Sequence, residues 1–302
     1  MLAEIGFVIE VLMGGLLAGV LYSLVALGFV LIFKASGVFN FAQGAMVLVA
    51  GLALVRALEV VPLPVALAFA MLVMVGIAFA VERVVLRPLV NQPDISLFMA
   101  TIGITFVLEG LGQQIFGAEV YPLDVGIPKD PVFLWETVFE GGLLVQSEDL
   151  YAAVVAGLLV VVLAFFFQYT RIGRALRAVA DDHQAALSVG IPLNQIWVIV
   201  WAVSGLVALV AAMVWGTKLG VQFSIAFVAL KALPVLIIGG FTSVPGAIIG
   251  GLIIGAGEKL SEVFLGPVIG GGIENWFAYM LALLVLLFRP QGLFGERIIE
   301  RV

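Results

Sequence analysis

The 302-residue sequence contains no cysteine and one histidine, His183. The absence of cysteine excludes disulfides, thiolate metal sites and a cysteine nucleophile, and a single histidine excludes a metal site built from several histidines. Charge is also scarce, since 11% of the residues are charged whereas 63% are hydrophobic, with a mean hydropathy of +1.24. Soluble domains are about half apolar and about a quarter charged. The composition therefore predicts a membrane protein that crosses the bilayer several times.

Signatures of catalytic sites are missing as well. The sequence contains no G-x-x-x-x-G-K-[ST] run, so the chain has no P-loop for ATP, and it contains neither HExxH nor GxSxG. Before Lys34 the N-terminus carries acidic residues and no Lys or Arg, unlike the basic start of a cleavable signal peptide, so we expect the first helix to be retained. We predict a chain that is not an enzyme and has no cofactor, metal or nucleic-acid partner.

Long apolar runs dominate the sequence. A helix of about 20 apolar residues spans a bilayer, and nine runs approach or reach that length. The run near 225–240 is short and contains Lys231 and Pro234, so eight and ten spans are alternative counts. We predict an all-α polytopic membrane protein with one transmembrane domain over residues 1–302. The predicted spans lie near 11–33, 41–58, 63–82, 95–117, 150–169, 194–216, 225–240, 246–265 and 273–288.

The basic residues indicate how these spans are oriented. If the N-terminus is outside, nine Lys and Arg residues fall on the cytoplasmic side and three on the outer side, with Lys231 and Lys259 inside spans. Cytoplasmic loops are enriched in Lys and Arg, so we predict an outer N-terminus and a cytoplasmic C-terminus. The cytoplasmic set is Lys34, Arg83, Arg87, Arg171, Arg174, Arg177, Arg289, Arg297 and Arg301, and the outer set is Arg56, Lys129 and Lys218.

One stretch, KASGVFNFAQGAMVLVAG at residues 34–51, interrupts the apolar pattern without forming a real loop. Gly37, Asn40 and Gln43 break it, and the chain is apolar again from Ala45. Lipid cannot satisfy a free amide or an unwound backbone, so we expect such a break to line a cavity or to pack against protein. Broken helices often build the pathway of a transporter. The alternative is a tight cytoplasmic turn in which Asn40 caps the next helix.

The sequence GVLYSLVALGFVLIFKASGVFNFAQGAM around this break resembles the signature of the LivH-type permeases of branched-chain amino acid ABC importers. Three later stretches also resemble this family: TRIGRALRAVADDHQAALSVGI (170–191), ALKALPVLIIGGFTSVPGAIIGG (229–251) and FRPQGLFG (288–295). The resemblance therefore runs from about residue 10 to residue 295. The residues that match the family's Gly-Val-hydrophobic-Asn-Phe-Ala-(His or Gln)-Gly core are Gly37, Val38, Asn40, Phe41, Ala42, Gln43 and Gly44.

Residues 170–194 form the main predicted cytoplasmic loop. A set of its residues recurs at helical spacing and marks one face of a helix, and Gly190 and Pro192 are stop signals. Gln184-Ala185-Ala186 followed by Gly190 is similar to the Glu-Ala-Ala-x-x-x-Gly spacing of ABC-importer coupling loops, with Gln in place of Glu. The face consists of Ile172, Leu176, Val179, His183, Ala186 and Gly190.

The resemblance implies that an ATPase subunit pushes on this helix as on a lever. The alternative is an interfacial helix that its arginines anchor to anionic lipid. His183 is more consistent with packing at the partner interface than with a pH sensor. The implied ATPase-coupling residues are Arg174, Arg177, Asp181, Gln184, Ala185, Ala186 and Gly190.

The longest predicted outer loop, roughly residues 118–149, is acidic and has interleaved apolar and aromatic residues such as Trp135. One interpretation is a solvated cap with a short interfacial helix, in which Trp135 lies at headgroup depth. The other is a docking surface for an extracytoplasmic binding protein.

Polar residues inside spans are costly and are functional candidates, with structural ion pairs as the alternative. Glu109, Lys231 and Glu258 are the main examples. A faint repeat, Lys-x-x-Gly-Val-x-x-Phe from Lys34 and Lys-x-Gly-Val-x-Phe-Ser from Lys218, also suggests inverted halves. In that arrangement Asn40 and Ser224 face one pathway. The candidate pathway residues are Asn40, Phe41, Gln43, Gly44, Glu109 and Ser224.

The resemblance implies the membrane-spanning permease subunit of an ATP-driven importer for branched-chain or related amino acids, in a bacterial-type cytoplasmic (inner) membrane. Its implied partners are two ATPase subunits, a homologous second permease or a second copy, an extracytoplasmic solute-binding protein and the lipid bilayer. Relatives of this family also handle urea, short amides and aromatic acids. The alternative is an ATP-independent secondary transporter or channel for small polar solutes, in which Glu109 or Glu258 carries proton or sodium coupling.

Overall fold

The computed structural model describes residues 2–37, 39–89, 92–136, 139, 142–181 and 183–295. Val38 of the motif and the basic residues Arg297 and Arg301 lie outside the described residues. Contacts divide the chain into two compact units. Unit 1 comprises Met1–Ala26, Gly126–Leu158 and Lys231–Val302, and unit 2 comprises Leu27–Val125 and Leu159–Leu230.

Helices make up most of the described chain, as the composition predicted, and a short two-stranded sheet accompanies them. The helices are α1 (Leu2–Ser36), α2 (Gln43–Leu58), α3 (Leu63–Val81), α4 (Asp94–Phe116), α5 (Ser147–Tyr169), α6 (Arg171–Asp181), α7 (His183–Ser188), α8 (Leu193–Leu219), α9 (Val228–Gly239), α10 (Val244–Ile269) and α11 (Glu274–Phe288), and the strands are β1 (Pro131–Leu134) and β2 (Leu143–Gln146).

All nine predicted apolar runs form helices, but nine separate crossings are not confirmed. In the described residues five helices are long and apolar enough to cross a membrane alone: α1, α3 with the turns after it, α4, α5 and α8. α9 and α10 meet at 115° and add at most one more span. α2 has 16 residues and α11 has 15, which is short for a bilayer core of about 30 Å.

In unit 2, α2 is the central helix. It contacts α3, α4 and α8, and every residue from Gln43 to Val55 is buried. A helix that is apolar on all sides is stable when protein surrounds it completely. At a rise of 1.5 Å per residue, 16 residues extend only about 24 Å. α2 can be this short because its surface is covered by neighbouring helices and not by lipid.

In unit 1, glycines allow α1 and α10 to approach closely. A Cβ atom at Gly251 would lie 2.6 Å from the Gly19 carbonyl oxygen, and one at Gly15 would lie 2.7 Å from the Gly255 carbonyl oxygen. Ser23 continues this contact, because its hydroxyl oxygen lies 3.0 Å from the Ile248 carbonyl oxygen. In each helix two glycines four positions apart, Gly15 with Gly19 and Gly251 with Gly255, form this helix–helix contact.

The C-terminal segment returns to the sharp bend between α9 and α10. At this bend a Cβ atom on Gly246 would lie 2.1 Å from the Gly239 carbonyl oxygen. The N–H groups of Leu293 and Phe294 donate to the carbonyl oxygens of Ile238 at 2.7 Å and Gly239 at 3.2 Å. The segment thus satisfies carbonyls that the end of a helix leaves free.

The predicted cytoplasmic loop is helical on both sides of residue 182, which lies outside the described residues. α6 ends at Asp181 and α7 begins at His183. Leu176, Val179 and Ala186 are buried as predicted, whereas Ile172 and Gly190 are exposed. Gly190 lies just after α7 and has φ of +83°. Glycine adopts this left-handed conformation without strain, so Gly190 stops the helix as predicted.

The acidic loop contains a β-hairpin, and residues 137, 138, 140 and 141 between its strands lie outside the described residues. β1 pairs with β2 in antiparallel register, with Val132 opposite Val145. Leu143 and Val145 are buried while Leu144 is exposed, the period of two that a strand requires. The N–H of Leu144 donates to the carboxylate of Glu10 at 3.1 Å, which fastens the hairpin to α1 within unit 1.

The contact between α1 and α10 leads to a first prediction. Gly251→Ala should lower the thermal unfolding midpoint of the purified protein in detergent, because the new methyl group would meet the α1 backbone and overpacking costs about 1–3 kcal/mol. Gly14→Ala is the matched control, since a Cβ atom at Gly14 has no neighbour within 4 Å. Equal midpoints for the two variants would contradict the close approach.

Candidate functional site

The break between α1 and α2 is built by residues 37–42. It begins at Gly37, whose φ is +70°. Asn40 then turns the chain into α2: its side-chain oxygen accepts a hydrogen bond from the Ala42 N–H at 3.0 Å, and its carbonyl accepts one from the Gln43 N–H at 3.3 Å. These acceptors satisfy N–H groups that the start of a helix leaves free. Asn40 therefore shapes the buried turn that leads into α2, whose N-cap residue is Ala42.

Contacts along α8 show how deep in unit 2 this break lies. The indole N–H of Trp197, near the start of α8, donates to the Ala35 carbonyl at the end of α1 at 3.3 Å. Ser204 lies seven residues further along α8, and its hydroxyl oxygen is 3.3 Å from the Gly28 carbonyl oxygen and 2.6 Å from the amide oxygen of Gln43. Seven helical residues extend about 10 Å. α2 therefore starts well inside the unit, as expected for a broken helix.

Gln43 is the centre of a buried polar cluster. Its amide oxygen accepts from the Ser204 hydroxyl, and its amide nitrogen lies 3.4 Å from the Ser204 carbonyl oxygen. The side-chain nitrogen of Asn40 lies 3.4 Å from the same amide oxygen. All three residues are fully buried, and in the described chain every buried side-chain polar atom has a partner. Because breaking such a cluster leaves buried polar groups unsatisfied, it holds the break in one geometry.

Thr101 of α4 secures the unwound backbone itself. Its hydroxyl oxygen accepts the Phe41 N–H at 3.3 Å and lies 3.1 Å from the Phe39 carbonyl oxygen. Thr101 is buried, so these contacts are shielded from water. The same hydroxyl oxygen lies 2.9 Å from the Phe98 carbonyl oxygen of α4, so Thr101 joins α4 to the unwound segment.

A row of aromatic rings borders the polar cluster. Phe29 stacks on Phe39 at 4.9 Å between ring centroids, and Phe41 meets both Phe39 and Phe98 edge to face at 5.2 Å. Phe29 is buried, but Phe41 is 37% exposed. Among the described side chains of the motif, Phe41 is therefore the one that reaches the surface, although the motif's polar residues were the stronger candidates for solute contact.

Gly44 brings a second interrupted segment against the break. A 3₁₀ turn (Phe223–Phe227) packs on α2, and a Cβ atom at Gly44 would lie 2.2 Å from the Ala226 carbonyl oxygen. No other residue type leaves room for this approach. The turn carries Ser224, which is exposed. The 3₁₀ turn, which begins at the end of the second copy of the faint repeat, therefore contacts the start of α2 in unit 2.

Glu109 lies apart from this cluster. It is half-buried on α4, outside the lining of a cavity of about 560 Å³ that Leu108, Leu111 and Gly112 of the same helix help to form. The cavity lies between α2, α3 and α4 and is apolar apart from Arg56. Thr101, which contacts Phe41, lies eight residues before Glu109 on α4, and eight helical residues extend about 12 Å. Glu109 is therefore separated from the break along α4.

The arginines of the predicted coupling helix contact the end of α5. Arg174 donates to the Tyr169 carbonyl at 3.2 Å, and Arg177 donates to the carbonyls of Phe167 and, at 3.3 Å, Gln168. Cations at a helix C-terminus satisfy its free carbonyls and interact favourably with its dipole. Arg174 and Arg177 thus fasten α6 to α5.

The remaining predicted coupling residues lie at the end of α6, in α7 and just after α7. Asp181 ends α6 and Gln184 lies in α7. Ala186 is buried and Ala185 is exposed. The most exposed apolar side chains of the segment are Leu187 at 53% and Val189 at 76%, which the sequence analysis did not single out because they lie off the predicted apolar face.

Thr101 and Ser204 also hold the break, and no sequence pattern indicated them. Both are hydroxyl residues inside long apolar helices, and their polarity within a span was the available signal. Residue spacing gave no indication of their partners, because Ser204 lies 161 positions from Gln43 and Thr101 lies 60 positions from Phe41.

Comparison with known proteins shows which family shares this sequence. A family model described as "Branched-chain amino acid transport system / permease component" matches residues 11–289. The high-affinity branched-chain amino acid transport system permease protein BraD of Pseudomonas aeruginosa is 30% identical, and the alignment covers 99% of each chain. The corresponding LivH of Salmonella typhimurium is 28% identical over 98% of each chain.

Among solved structures, PsaBC from Streptococcus pneumoniae in complex with Fab aligns over 92% of both chains, with a TM-score of 0.47 and 14% identity. The family match spans both the broken helix and the segment of α6 and α7. The chain therefore belongs to the family of permease components of branched-chain amino acid transport systems.

Proposed function

We propose that this chain is the membrane-spanning subunit of an ATP-driven importer for branched-chain amino acids. The observation that carries the proposal is the family match over residues 11–289, together with full-length similarity to permeases whose names give that substrate class. Since the sequence contains no P-loop, ATP is hydrolysed by two separate ATPase subunits. A homologous second permease, or a second copy of this chain, completes the pathway.

The proposed orientation follows from the basic residues. The N-terminus lies outside and the C-terminus in the cytoplasm, with the chain in a bacterial-type inner membrane. The hairpin of β1 and β2 then faces the side from which an extracytoplasmic solute-binding protein delivers the solute. The segment of α6 and α7 faces the ATPase subunits.

The proposed coupling device is this segment. Arg174 and Arg177 fasten α6 to the end of α5, which supports transmission of a push from the ATPase into a long helix. Asp181, Gln184, Ala185, Ala186 and Gly190 belong to the contact region, and Leu187 and Val189 provide its exposed apolar surface.

The proposed pathway residues divide into two groups. Phe41, Ser224 and the half-buried Glu109 have surface to offer to a solute. Asn40, Gln43 and Gly44 hold the broken helix and the 3₁₀ turn in place, since both amides are bonded to protein. The second group therefore shapes the pathway, and Phe41 is the motif residue nearest to the solute.

The central test is purification of this chain from its native membrane in mild detergent, followed by mass spectrometry and uptake assays in proteoliposomes. We expect a P-loop ATPase at about one copy per permease, and uptake of leucine, isoleucine or valine that requires ATP and the binding protein. A homo-oligomer that transports solute without ATP would overturn the proposal.

The apolar surface of the coupling segment generates a second prediction. Leu187→Asp and Val189→Asp should weaken retention of the ATPase during purification and abolish uptake, because each replaces an exposed apolar contact with a charge that must be desolvated. Retention is read from the subunit ratio on a sizing column.

The control for this experiment is Val84→Asp, which changes a side chain that is 72% exposed and predicted to lie on the same side of the membrane. Val84 lies outside the coupling segment, so its variant should retain the ATPase. Full retention of the ATPase by both coupling variants would show that this surface is not the docking site.

The buried polar cluster generates a third prediction. Gln43→Ala should lower the thermal unfolding midpoint, because it leaves the Ser204 hydroxyl and carbonyl without their partner, at a cost of about 1–3 kcal/mol for a buried unsatisfied group. The matched control is Gln114→Ala, since Gln114 is an exposed amide near the end of α4 and should be replaceable. A Gln43 variant as stable as the control would contradict the proposed holding role.

A further inference from the structure

Lys231 is a cation in the first turn of the otherwise apolar helix α9. Its side chain is half-buried on α9, and its ammonium group lies over the ring of Tyr22, 5.9 Å from the centroid. Within the part of the chain that the structure describes, no oxygen lies within hydrogen-bonding distance of this ammonium. Three N–H donors on a charged group are therefore available to a ligand.

Lys231 and Glu258 both lie within apolar runs that the sequence predicts to span the membrane, 225–240 and 246–265. Lys231 lies eight residues before the end of α9, about 12 Å from the bend, and Glu258 lies fourteen residues after the start of α10, about 21 Å from the same bend. The hydrocarbon core is about 30 Å thick. A cation within a membrane span is rare and costly unless it meets protein or water.

Glu258 balances the charge of Lys231 without accepting a hydrogen bond from its ammonium group. The Glu258 carboxylate is buried and accepts the hydroxyl of Tyr22 at 2.9 Å, and it interacts with Lys231 electrostatically across Tyr22. The next charged groups, Lys259 and Glu274, pair with each other at 3.1 Å. Tyr22 and Glu258 thus stabilise a cation whose donors remain unused.

The exposed part of the Lys231 side chain has to face a polar environment, because acyl chains cannot solvate an ammonium group. An aqueous solute pathway provides that environment, and a carboxylate is the ligand that an ammonium binds most strongly there. We infer that Lys231 binds the carboxylate of the transported solute inside the membrane, with Tyr22 and Glu258 as positioning residues.

This inference rests on the proposed importer function and narrows its substrate class. Amino acids and other carboxylic acids carry the negative charge that Lys231 requires, whereas urea and neutral amides do not. The site therefore selects for charge at one end of the solute and leaves recognition of the side chain to other groups.

The test uses the complete transporter in proteoliposomes, with leucine uptake and ATP hydrolysis measured in parallel. Lys231→Met should lower uptake about tenfold or more, as expected for loss of a hydrogen bond to a charged group, while the complex still assembles and hydrolyses ATP. Lys231→Arg should keep a large part of the uptake because it keeps the cation. The control Lys259→Met, at an exposed position, should transport like the unchanged protein.

A double variant separates ligand binding from simple charge balance. Lys231→Met combined with Glu258→Gln removes both charges, so it leaves no uncompensated carboxylate in the membrane. If Lys231 binds solute, the double variant stays as slow as Lys231→Met. Recovery of uptake in the double variant would overturn the inference, because it would show that Lys231 only neutralises Glu258.

Two other outcomes would also overturn it. Uptake at the unchanged rate by Lys231→Met would remove Lys231 from the pathway while leaving the importer function intact. Failure of Lys231→Met and of the double variant to assemble would assign the ammonium to a subunit contact. Failure of the importer proposal itself looks different, since the unchanged protein would then lack an ATPase partner or ATP-dependent uptake.

Discussion

A bilayer offers no hydrogen bonds to a backbone that leaves the helix, and the break between α1 and α2 has to meet that constraint with protein groups alone. Asn40 supplies acceptors for the start of α2, Thr101 bonds the unwound segment on both sides, and Gln43 joins this region to Ser204 of α8. Because these bonds connect the break to α4 and α8, the arrangement of unit 2 depends on them. The short length of α2 follows from the same arrangement.

Close backbone approach is the second requirement, and small residues meet it in each unit separately. In unit 2 Gly44 admits the 3₁₀ turn, and in unit 1 Gly19 and Gly251 let α1 and α10 meet. The hydrophobic effect contributes little to helix association in lipid, because lipid tails are as apolar as the side chains. Van der Waals packing at short distance therefore has to supply the attraction. The glycine-rich composition, 35 residues of 302, thus contributes to stability where it would weaken a soluble helical protein.

The sequence predicted the helices well and their partners poorly. Apolar runs and stop signals placed nine helical segments and the break at Asn40, because both depend on local composition. The hairpin of β1 and β2 was not foreseen, since strands of four residues carry almost no periodic signal. The sequence also did not predict the 115° bend between α9 and α10. Two consecutive apolar runs have the same composition whether their helices continue in line or fold back.

Within the site, the motif identified Asn40, Gln43 and Gly44 but not the way they are held. Their partners lie on distant helices, so no spacing rule in a single sequence connects them. Arg174 and Arg177 show the same limit: clustered arginines indicated a lipid or ATPase surface, whereas their donors contact α5 carbonyls ten residues or fewer away. Only the three-dimensional path of α5 into α6 decides between these uses.

The pairing of Leu293 and Phe294 with the end of α9 also bears on the order of synthesis. A ribosome makes α9 more than 50 residues before these two partners. In the nascent chain the last carbonyls of α9 therefore lack these hydrogen bonds until the C-terminal segment emerges. The bend between α9 and α10 therefore becomes complete only after residues 293 and 294 have been made. These two residues complete the end of α9 during biogenesis, and a chain terminated before them would carry an unfinished helix end for the cell's membrane proteases to recognise.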